Sequence, residues 1–501
     1  MIADRGAYLT GVVAPTSDGT LRLLVARISP DGARNDLYVV SVPDAGPPSD
    51  RLLVADLPSG VPCSPRASGF LAVACYPTDA GGRLFLHTSA DPYQGTQGFA
   101  RIDPVTGDRL DLGEGRYFTL SRARERVLVV REPDATLFES DGQATQLPDV
   151  FQGNATFVGE DLFYVVQEQG LMHLPPHGVP ELVRAGVTGF YMQRTDTGPV
   201  LETITPGADP STGTSTVLDP VTLEDLFTPI ENDPISVSPD RRWLLVDHGA
   251  GQGVTFIDGV TGDREEVPPL DSSTPFNHEW RPGRAEVWFM ASVYSSASPP
   301  PAITWIKAPG RPAITVPLFT EGLYDVTRGR SFLSIFTGDG AYWFSHPLSG
   351  LARPAIQIGP ADDPNGTHFD FNPTGTYTGS YQTLADGRLL VSAYYTDFQR
   401  SDISAIDPAT GAKQPLGEQG TVLVVGQQRV LANLHMIDGY GDLTAIDLAD
   451  GHATELAAEF TYDAFVEQTG PDPLQSGARV AFQFRARFDS PYDGIWVTAL
   501  P

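Results

Sequence analysis

Short apolar segments separated by glycine, proline and aspartate recur throughout this chain of 501 residues. The segment 236–267, SVSPDRRWLLVDHGAGQGVTFIDGVTGDREEV, has apolar runs at 243–246 and 254–257, followed by turn-like stretches at 249–253 and 258–262. Runs of β-branched and aromatic residues bounded by Gly, Pro and Asp are typical of strands joined by tight turns. Because four apolar residues in a row do not alternate, such strands are expected to be buried on both faces. The segment therefore predicts a small antiparallel sheet that is covered on both sides.

The third strand of this segment, which ends in Ile257-Asp258 before a glycine turn, recurs along the chain. Clear copies begin at residues 101, 217, 405 and 445, and weaker ones at residues 138, 173, 306 and 345. With a first unit near residue 41 and a last one at GIWVTALP, they give about eleven units at a mean spacing of roughly 45 residues, close to the period of β-propeller blades. Such a blade is a four-stranded antiparallel sheet packed between two others.

These observations predict an all-β fold, a β-propeller of about eleven four-stranded blade-like units that run continuously over residues 1–501. Propeller rings usually have about four to eight blades, so eleven units leave three arrangements open. The chain forms two rings with a seam within 185–235, one unusually large ring, or a single ring of seven or eight blades with insertions. The last unit stops after its third strand, and the residues before Ala7 are candidates for the missing outer strand.

One stretch also resembles a known repeat. The residues SPDRRWLLV at 238–246, followed by Phe256-Ile257-Asp258, are similar to the WD40-like, Asp-containing repeat of TolB-type periplasmic β-propellers. The resemblance is close only around Ser236–Val267. It implies the propeller fold, and because such repeats occur in proteins with many activities, it implies the fold far more than a function.

The surface is expected to be strongly acidic. The chain has 62 acidic and 33 basic residues and a formal net charge of −29. Such a surface repels phosphate, so neither nucleic acid nor an anionic membrane is an expected partner. No run of eighteen apolar residues occurs, so no membrane span is expected either. Only two of the basic residues, Lys307 and Lys413, are lysines.

The two cysteines bear on the compartment. Cys63 and Cys75 lie twelve residues apart in CSPRASGFLAVAC, a spacing that allows them to face each other across neighbouring strands. A single even pair predicts a disulfide and an oxidising compartment, with two inert buried thiols as the alternative. The first residues, MIADRGAYLT, lack the features of a signal peptide. We expect an exported protein, periplasmic or on the cell surface, whose signal has been removed from this sequence.

Motifs of catalysis are missing from the sequence. It contains no G-x-S-x-G, no GK dipeptide, no H-E-x-x-H and no C-x-x-C. The sequence thus names no catalytic residue and requires no cofactor.

The inner strands carry the one pattern that suggests a site. When the first strands are aligned on the turns that follow them, six residues correspond to one another and are predicted to line a channel: Thr119, Thr156, Ser236, Glu279, Asp325 and Asp370. The three carboxylates, with His278 and His368 beside two of them, predict a divalent-cation site for Ca²⁺ or Mn²⁺. The alternatives are acidic residues that are merely solvated in a wet channel, or a register error of one residue that would bury them between blades.

Three functions remain open. The first is an exported, non-catalytic binding or scaffold protein that recognises a protein or glycan partner through a ring face and its rim loops. The second is an enzyme, a lyase or lactonase-type hydrolase, with a divalent metal in the channel. The third is a structural unit of a surface assembly. The sequence does not predict the oligomeric state.

Overall fold

The structure is a computed structural model of the whole chain. It describes residues 7–13, 18–28, 34–58, 75–76, 83–87, 97–123, 125–207, 213–231, 233–249, 252–268, 276–291, 304–316, 334–337, 339–345, 356–363, 369–371, 376–395, 401–437, 440–466, 472–484 and 494–501. The chain divides into two compact units. The first contains Met1–Leu182 and Glu418–Pro501, and the second contains Val183–Gly417.

The first unit holds four four-stranded sheets and one six-stranded sheet within its described residues. Its strands, in chain order and sheet by sheet, are β1 Ala7–Val12, β2 Leu21–Ile28, β3 Arg34–Val42 and β4 Ser49–Pro58; β5 Cys75–Tyr76, β6 Leu84–His87, β7 Gln97–Ile102 and β8 Arg109–Gly115; β9 Tyr117–Leu120, β10 Val127–Val130, β11 Ala135–Phe138 and β12 Ala144–Leu147; β13 Val150–Val158, β14 Asp161–Val166, β15 Gly170–Leu174 and β16 Glu181–Ala185; and, after the second unit, β37 Thr421–Val425, β38 Arg429–Ile437, β39 Tyr440–Asp447, β40 Ala453–Val466, β41 Arg479–Phe484 and β42 Gly494–Ala499.

The second unit holds five four-stranded sheets within its described residues. Its strands are β17 Gly189–Thr195, β18 Gly198–Pro206, β19 Gly213–Leu218 and β20 Ile230–Glu231; β21 Ile235–Val237, β22 Trp243–Asp247, β23 Val254–Asp258 and β24 Arg264–Val267; β25 Phe276–Trp280, β26 Val287–Ala291, β27 Thr304–Lys307 and β28 Ile314–Val316; β29 Ser334–Phe336, β30 Tyr342–Ser345, β31 Ile356–Pro360 and β32 Phe369–Phe371; and β33 Thr376–Thr383, β34 Leu389–Tyr395, β35 Ser401–Ile406 and β36 Lys413–Gly417.

Each four-stranded sheet is an antiparallel meander in which consecutive strands pair in chain order, as in a propeller blade. The six-stranded sheet combines two such units, because its long strand β40 serves both. Residues 453–457 pair with β39, and residues 464–466 pair with β41. The described residues thus form eleven repeat units and no helix. The prediction of an all-β propeller with about eleven blade-like units is confirmed, and the number of rings and the seam at 185–235 stay predictions.

The end of the first unit packs against its beginning. Ala481 and Ile495 of the last strands share a buried cluster with Leu9 and Leu21 of the first sheet. The Leu9 N–H also donates to Gln483 Oε1 at 3.4 Å. The last repeat has three described strands, β40 to β42, and the residues before Ala7 that were candidates for a fourth lie outside the described residues.

The recurring aspartate at the end of the third strand caps the turn that follows it. Its carboxylate accepts a hydrogen bond from the backbone N–H two residues later at 2.7–2.9 Å, and its carbonyl accepts one from the N–H four residues later at 2.8–2.9 Å. The aspartates with this geometry are Asp103, Asp219, Asp258, Asp407 and Asp447.

The fifth residue of this turn has a left-handed backbone, which explains the glycine of the repeat. Gly262 has φ 75°, and the equivalent Leu223 in VLDPVTLEDL has φ 60°. The sequence repeat therefore records one turn conformation rather than a ligand-binding motif.

Arginine side chains join neighbouring sheets in both units. In the first unit, Arg126 is 2% exposed, and its Nε lies 3.1 Å from both carboxylate oxygens of Glu139. Its two terminal nitrogens donate to the carbonyls of Glu160, Leu174 and Pro175 in the next sheet.

Other sheet pairs are joined in the same way. Arg51 donates to the Pro104 carbonyl, and Arg101 donates to the Ser140 carbonyl at 2.9 Å. In the second unit, Arg281 is 2% exposed and donates to the carbonyl of Gly340 at 2.6 Å.

We expect Arg126→Ala to lower the free energy of unfolding by about 3–5 kcal/mol, because it leaves the Glu139 carboxylate buried without its cation. Urea denaturation measures this loss. The matched control is Arg116→Ala, which removes the exposed ion pair with Glu132 and should cost less than about 1 kcal/mol. Equal losses in the two variants would show that Arg126 does not join the sheets.

Candidate functional site

Four of the six residues predicted to line a channel lie on first strands, as the alignment requires. Thr119, Thr156, Ser236 and Glu279 are on β9, β13, β21 and β25, and all four are partly exposed. It stays a prediction that the side chains of these four residues face one central channel.

The other predicted positions differ. Asp325 and His368 lie outside the described residues. Asp370 is on β32, the fourth strand of its sheet, where it pairs with Gln357 of β31. The alignment placed it on a first strand and is wrong there, because β33 supplies that strand and the short segment 369–371 completes the preceding sheet.

Burial gives Glu279 an unusual protonation. Glu279 lies opposite Trp288 in the β25–β26 ladder, and the Trp288 ring packs against Phe336 with centroids 5.0 Å apart. Burial in this surrounding raises the pKa of the Glu279 carboxyl to about 7, and no cation among the described residues offsets it. Glu279 is therefore a candidate acid or base near neutral pH.

The neighbouring His278 is affected by burial in the opposite direction. Burial lowers the pKa of its imidazole, although the carboxylate of Asp247 partly counteracts this. His278 pairs with Phe289, and its ring lies 6.2 Å from the phenyl ring between centroids. Because adjacent residues of a strand point to opposite faces, His278 and Glu279 do not share one site.

The predicted metal set is not assembled within the described residues. There, no group of three His, Cys, Asp or Glu side chains is placed to hold a metal ion. Of the five predicted ligands, only His278 and Glu279 have described side chains. The cation site stays a prediction.

The disulfide between Cys63 and Cys75 also stays a prediction. Cys63 lies outside the described residues, and only the backbone of Cys75, in β5, is described.

A cleft of about 420 Å³ opens between two neighbouring sheets of the second unit, β29–β32 and β33–β36. Three turns supply its acidic lining, Asp339 before β30, Asp386 between β33 and β34, and Asp407 after β35. Tyr342 and Pro408 contribute apolar surface. We call this feature the acidic cleft.

Hydrogen bonds keep the three carboxylates of the acidic cleft ionised. The Thr337 hydroxyl donates to Asp339 at 2.6 Å and, with the Ala341 N–H, lowers the pKa of that carboxyl. The Thr410 hydroxyl, at 2.7 Å, lowers the pKa of Asp407 in the same way.

Asp386 is paired with the only cation of the acidic cleft's described lining, Arg388. Burial by itself would raise the pKa of Asp386, but the guanidinium, whose Nε donates at 2.8 Å, holds it below its ordinary value. Arg388 also donates to Gln414. Three carboxylates and one guanidinium leave the lining with two negative charges.

Sequence reasoning missed the acidic cleft. Asp407 belongs to the recurring AIDPATG turn, and Asp386 to the turn ADGR. The recurring turn that contains Asp407 was predicted, whereas Asp386 was not singled out in the sequence. The cleft arises from how two consecutive sheets place these turns, and no motif encodes that.

The solved structures described below are similar to this chain at low sequence identity. No protein-family model matches the sequence, and no curated protein matches it. Among solved structures, the crystal structure of the tricorn protease is 10% identical, with 90% of this chain and 53% of that chain covered and a TM-score of 0.33. The crystal structure of Porphyromonas gingivalis dipeptidyl peptidase 4 is 12% identical, with 95% and 65% covered and a TM-score of 0.36.

A third structure, the β-propeller domain of Myceliophteria thermophila Cps50 (Swd1), is 13% identical, with 60% of this chain and 94% of that chain covered and a TM-score of 0.29. The chain thus spans 53% and 65% of the lengths of the first two proteins. These low TM-scores establish no relationship to the three proteins, and the assignment of a propeller fold rests on the sheet topology of this chain.

No helix among the described residues has the length and apolarity needed to cross a membrane.

We expect Glu279→Gln to change how stability depends on pH. The folded state holds the Glu279 proton up to a pKa of about 7, whereas the unfolded chain releases it near 4.5, so wild-type stability falls as pH rises between these values. The variant does not titrate and should exceed wild type above pH 7 by at most about 3 kcal/mol. Urea denaturation at pH 4.5 and pH 8 measures this, with the exposed Glu224→Gln as control. Identical pH profiles for wild type and Glu279→Gln would contradict the burial argument.

Proposed function

We propose that this protein is a non-catalytic β-propeller binding or scaffold protein that takes a basic side chain of a protein partner into the acidic cleft. The observation that carries the proposal is the cleft itself, a concave site of about 420 Å³ with three ionised carboxylates. A concave site with a few converging polar groups is the usual form of a binding pocket.

The chemistry of the acidic cleft favours a guanidinium or ammonium group. The hydrogen bonds to Asp339 and Asp407 come from hydroxyl and backbone donors, and Arg281 and Arg388 act on these carboxylates only through the electric field, so both retain acceptor capacity for an incoming cation. A guanidinium donates two parallel hydrogen bonds to a carboxylate, which gives geometric selectivity as well as affinity. The net charge of −29 would attract a basic partner from a distance. A glycan partner remains the alternative, because hydroxyl groups also donate to carboxylates.

We also propose that the protein is exported, to the periplasm or the cell surface. The support is the single pair of cysteines, Cys63 and Cys75, which favours an oxidising compartment. The resemblance of Ser236–Val267 to the TolB-type repeat is consistent with this location.

The test is binding of an acetylated tetra-arginine peptide, measured by calorimetry at low and high salt. Wild type should bind, and more weakly at high salt, since exposed charges are screened. The double variant Asp339→Asn, Asp407→Asn should weaken binding about tenfold or more, because it removes two charge-assisted hydrogen-bond acceptors. Asparagine retains the oxygen that caps each turn, so the fold should persist.

The matched control is the double variant Asp103→Asn, Asp141→Asn. It removes the same charge from two other turns, where the carboxylates also accept backbone N–H groups, outside the acidic cleft. An equal loss of affinity in both double variants would show that the peptide senses only the overall charge, and the proposal would fail.

A second candidate function is the metal-dependent channel enzyme, a lyase or lactonase-type hydrolase. The observation that favours it is Glu279, whose pKa of about 7 suits acid and base catalysis. Elemental analysis of dialysed protein tests it. One equivalent of Ca or Mn in wild type that is lost in Glu279→Gln is the expected result. Equal metal content in the two proteins would contradict it.

A further inference from the structure

Four side chains of the sheet β21–β24 form a continuous hydrogen-bonded chain, which we call the Asp233–Glu266 network. Asp233 Oδ2 lies 2.7 Å from His248 Nδ1, and His248 Nε2 lies 2.7 Å from Thr255 Oγ1. Thr255 Oγ1 in turn lies 2.7 Å from Glu266 Oε2. The order is thus carboxylate, imidazole, hydroxyl, carboxylate.

The number of protons in this chain is the informative feature. Three hydrogen bonds need three hydrogens, but a neutral imidazole and a hydroxyl supply only one each, and an ionised carboxylate supplies none. The hydroxyl of Thr255 cannot donate to both His248 and Glu266. With a neutral imidazole and two ionised carboxylates, the four groups supply two hydrogens for three hydrogen bonds. All three bonds therefore form only when the network holds one further proton.

The Asp233–Glu266 network joins different parts of the second unit. Asp233 is in the connection that leads from β20 into β21, and His248 follows β22. Thr255 and Glu266 are directly opposite each other on β23 and β24. Next to the network, the Asp247 N–H donates to the Pro234 carbonyl at 2.9 Å, so the same connection is also held by backbone.

Both ends of the network reach solvent, and its buried member lies between them. Glu266 is exposed, the side chains of His248 and Asp233 are 31% and 36% exposed, and Thr255 is 3% exposed. The buried hydroxyl must keep its partners or lose a hydrogen bond.

Few other titratable groups face the network. Asp247 precedes His248, but its carboxylate accepts the Gly249 N–H and acts on His278 of the next sheet. From the preceding sheet, Gln193 reaches the Ile235 carbonyl and links it to Glu202, whose pKa is raised by burial. No lysine or arginine contact to the network occurs among the described residues.

We propose that the Asp233–Glu266 network is a proton-dependent clasp. With its extra proton it fastens the β20–β21 connection to the end of the sheet β21–β24. When pH rises and the proton leaves, one of the three hydrogen bonds is lost and Asp233 faces a neutral imidazole instead of an imidazolium, so the hold on the connection weakens. The clasp thus gives this protein a pH-sensitive junction between two consecutive sheets, independent of the acidic cleft.

Amide variants provide a sharp test, because they supply the missing hydrogen without titrating. In Glu266→Gln, the amide donates to Thr255, Thr255 donates to a neutral His248, and His248 donates to Asp233. In Asp233→Asn, the amide donates to His248, and the rest of the chain runs in the opposite direction. Both variants close the network at any pH.

The measurement is the hydrogen-exchange protection of the Asp247 amide between pH 5.5 and 8, corrected for intrinsic exchange. In wild type, protection should fall about two- to tenfold as pH rises, the effect of one hydrogen bond. In Glu266→Gln and Asp233→Asn it should stay high throughout. Thr255→Val, which keeps the shape but removes the hydroxyl, loses two of the three hydrogen bonds and should give lower protection than wild type at pH 5.5.

Three results would overturn the proposal. The first is wild-type protection that does not change with pH. The second is amide variants that follow the wild-type profile, which would place the titrating group elsewhere. An unaltered profile in Thr255→Val would also contradict it, because the hydroxyl is the link on which the chain depends. Amides of β14, in the first unit, serve as the internal reference for global stability.

Discussion

Each sheet of this protein has to be held against its neighbour, and buried guanidinium groups provide much of that hold. A four-stranded sheet buries its apolar faces on both sides, but its turns and strand ends still present backbone carbonyls that lose water when sheets pack. Arg126, Arg281 and Arg101 extend from one sheet and donate to such carbonyls of the next. The planar guanidinium has five donors, so one side chain satisfies several acceptors at once.

This requirement gives a physical reason for the preference of arginine over lysine. Lysine carries a single ammonium that is strongly hydrated, whereas arginine is weakly hydrated and suited to buried contacts. The buried Lys307 satisfies a simpler geometry, with Glu265 Oε1 at 2.5 Å and its neighbouring carbonyl at 2.8 Å. At the buried positions that join sheets, arginine is thus preferred over lysine for a structural reason.

The strand pattern was predictable from sequence because it depends on local chemistry. Apolar runs between Asp and Gly turns specify strands and hairpins, and Asp258 with Gly262 shows the capped turn that creates the repeat. The shared strand β40 was not visible in the sequence, since nothing local distinguishes a strand that serves two sheets from one that serves a single sheet. Asp370 was misplaced for the same reason, because FDF has a strand pattern whether it begins one sheet or completes another.

The acidic cleft and the surroundings of Glu279 depend on distances between side chains of different strands. These distances are harder to predict from the sequence than the strands themselves. The acidic cleft and Glu279 both present carboxyl groups, but their surroundings shift the pKa of these groups in opposite directions. In the cleft, hydroxyl, backbone and guanidinium donors lower the pKa of each aspartate. At Glu279, apolar neighbours raise it to about 7. An alignment of the inner strands found Glu279 as a position, but its protonation follows from its burial in the folded sheet, which the alignment did not consider.

A repeat fold of this kind therefore creates binding chemistry without a dedicated motif. The same aspartates that cap the turns become a cleft wherever two neighbouring sheets bring their turns together, and the caps themselves keep the carboxylates charged. Since an aspartate caps the turn after the third strand at five places, each of those repeats supplies a fixed negative charge near the sheet edge. The residues around these turns differ from one repeat to the next, and in the acidic cleft Tyr342 adds apolar surface while Arg388 adds the positive charge of the lining.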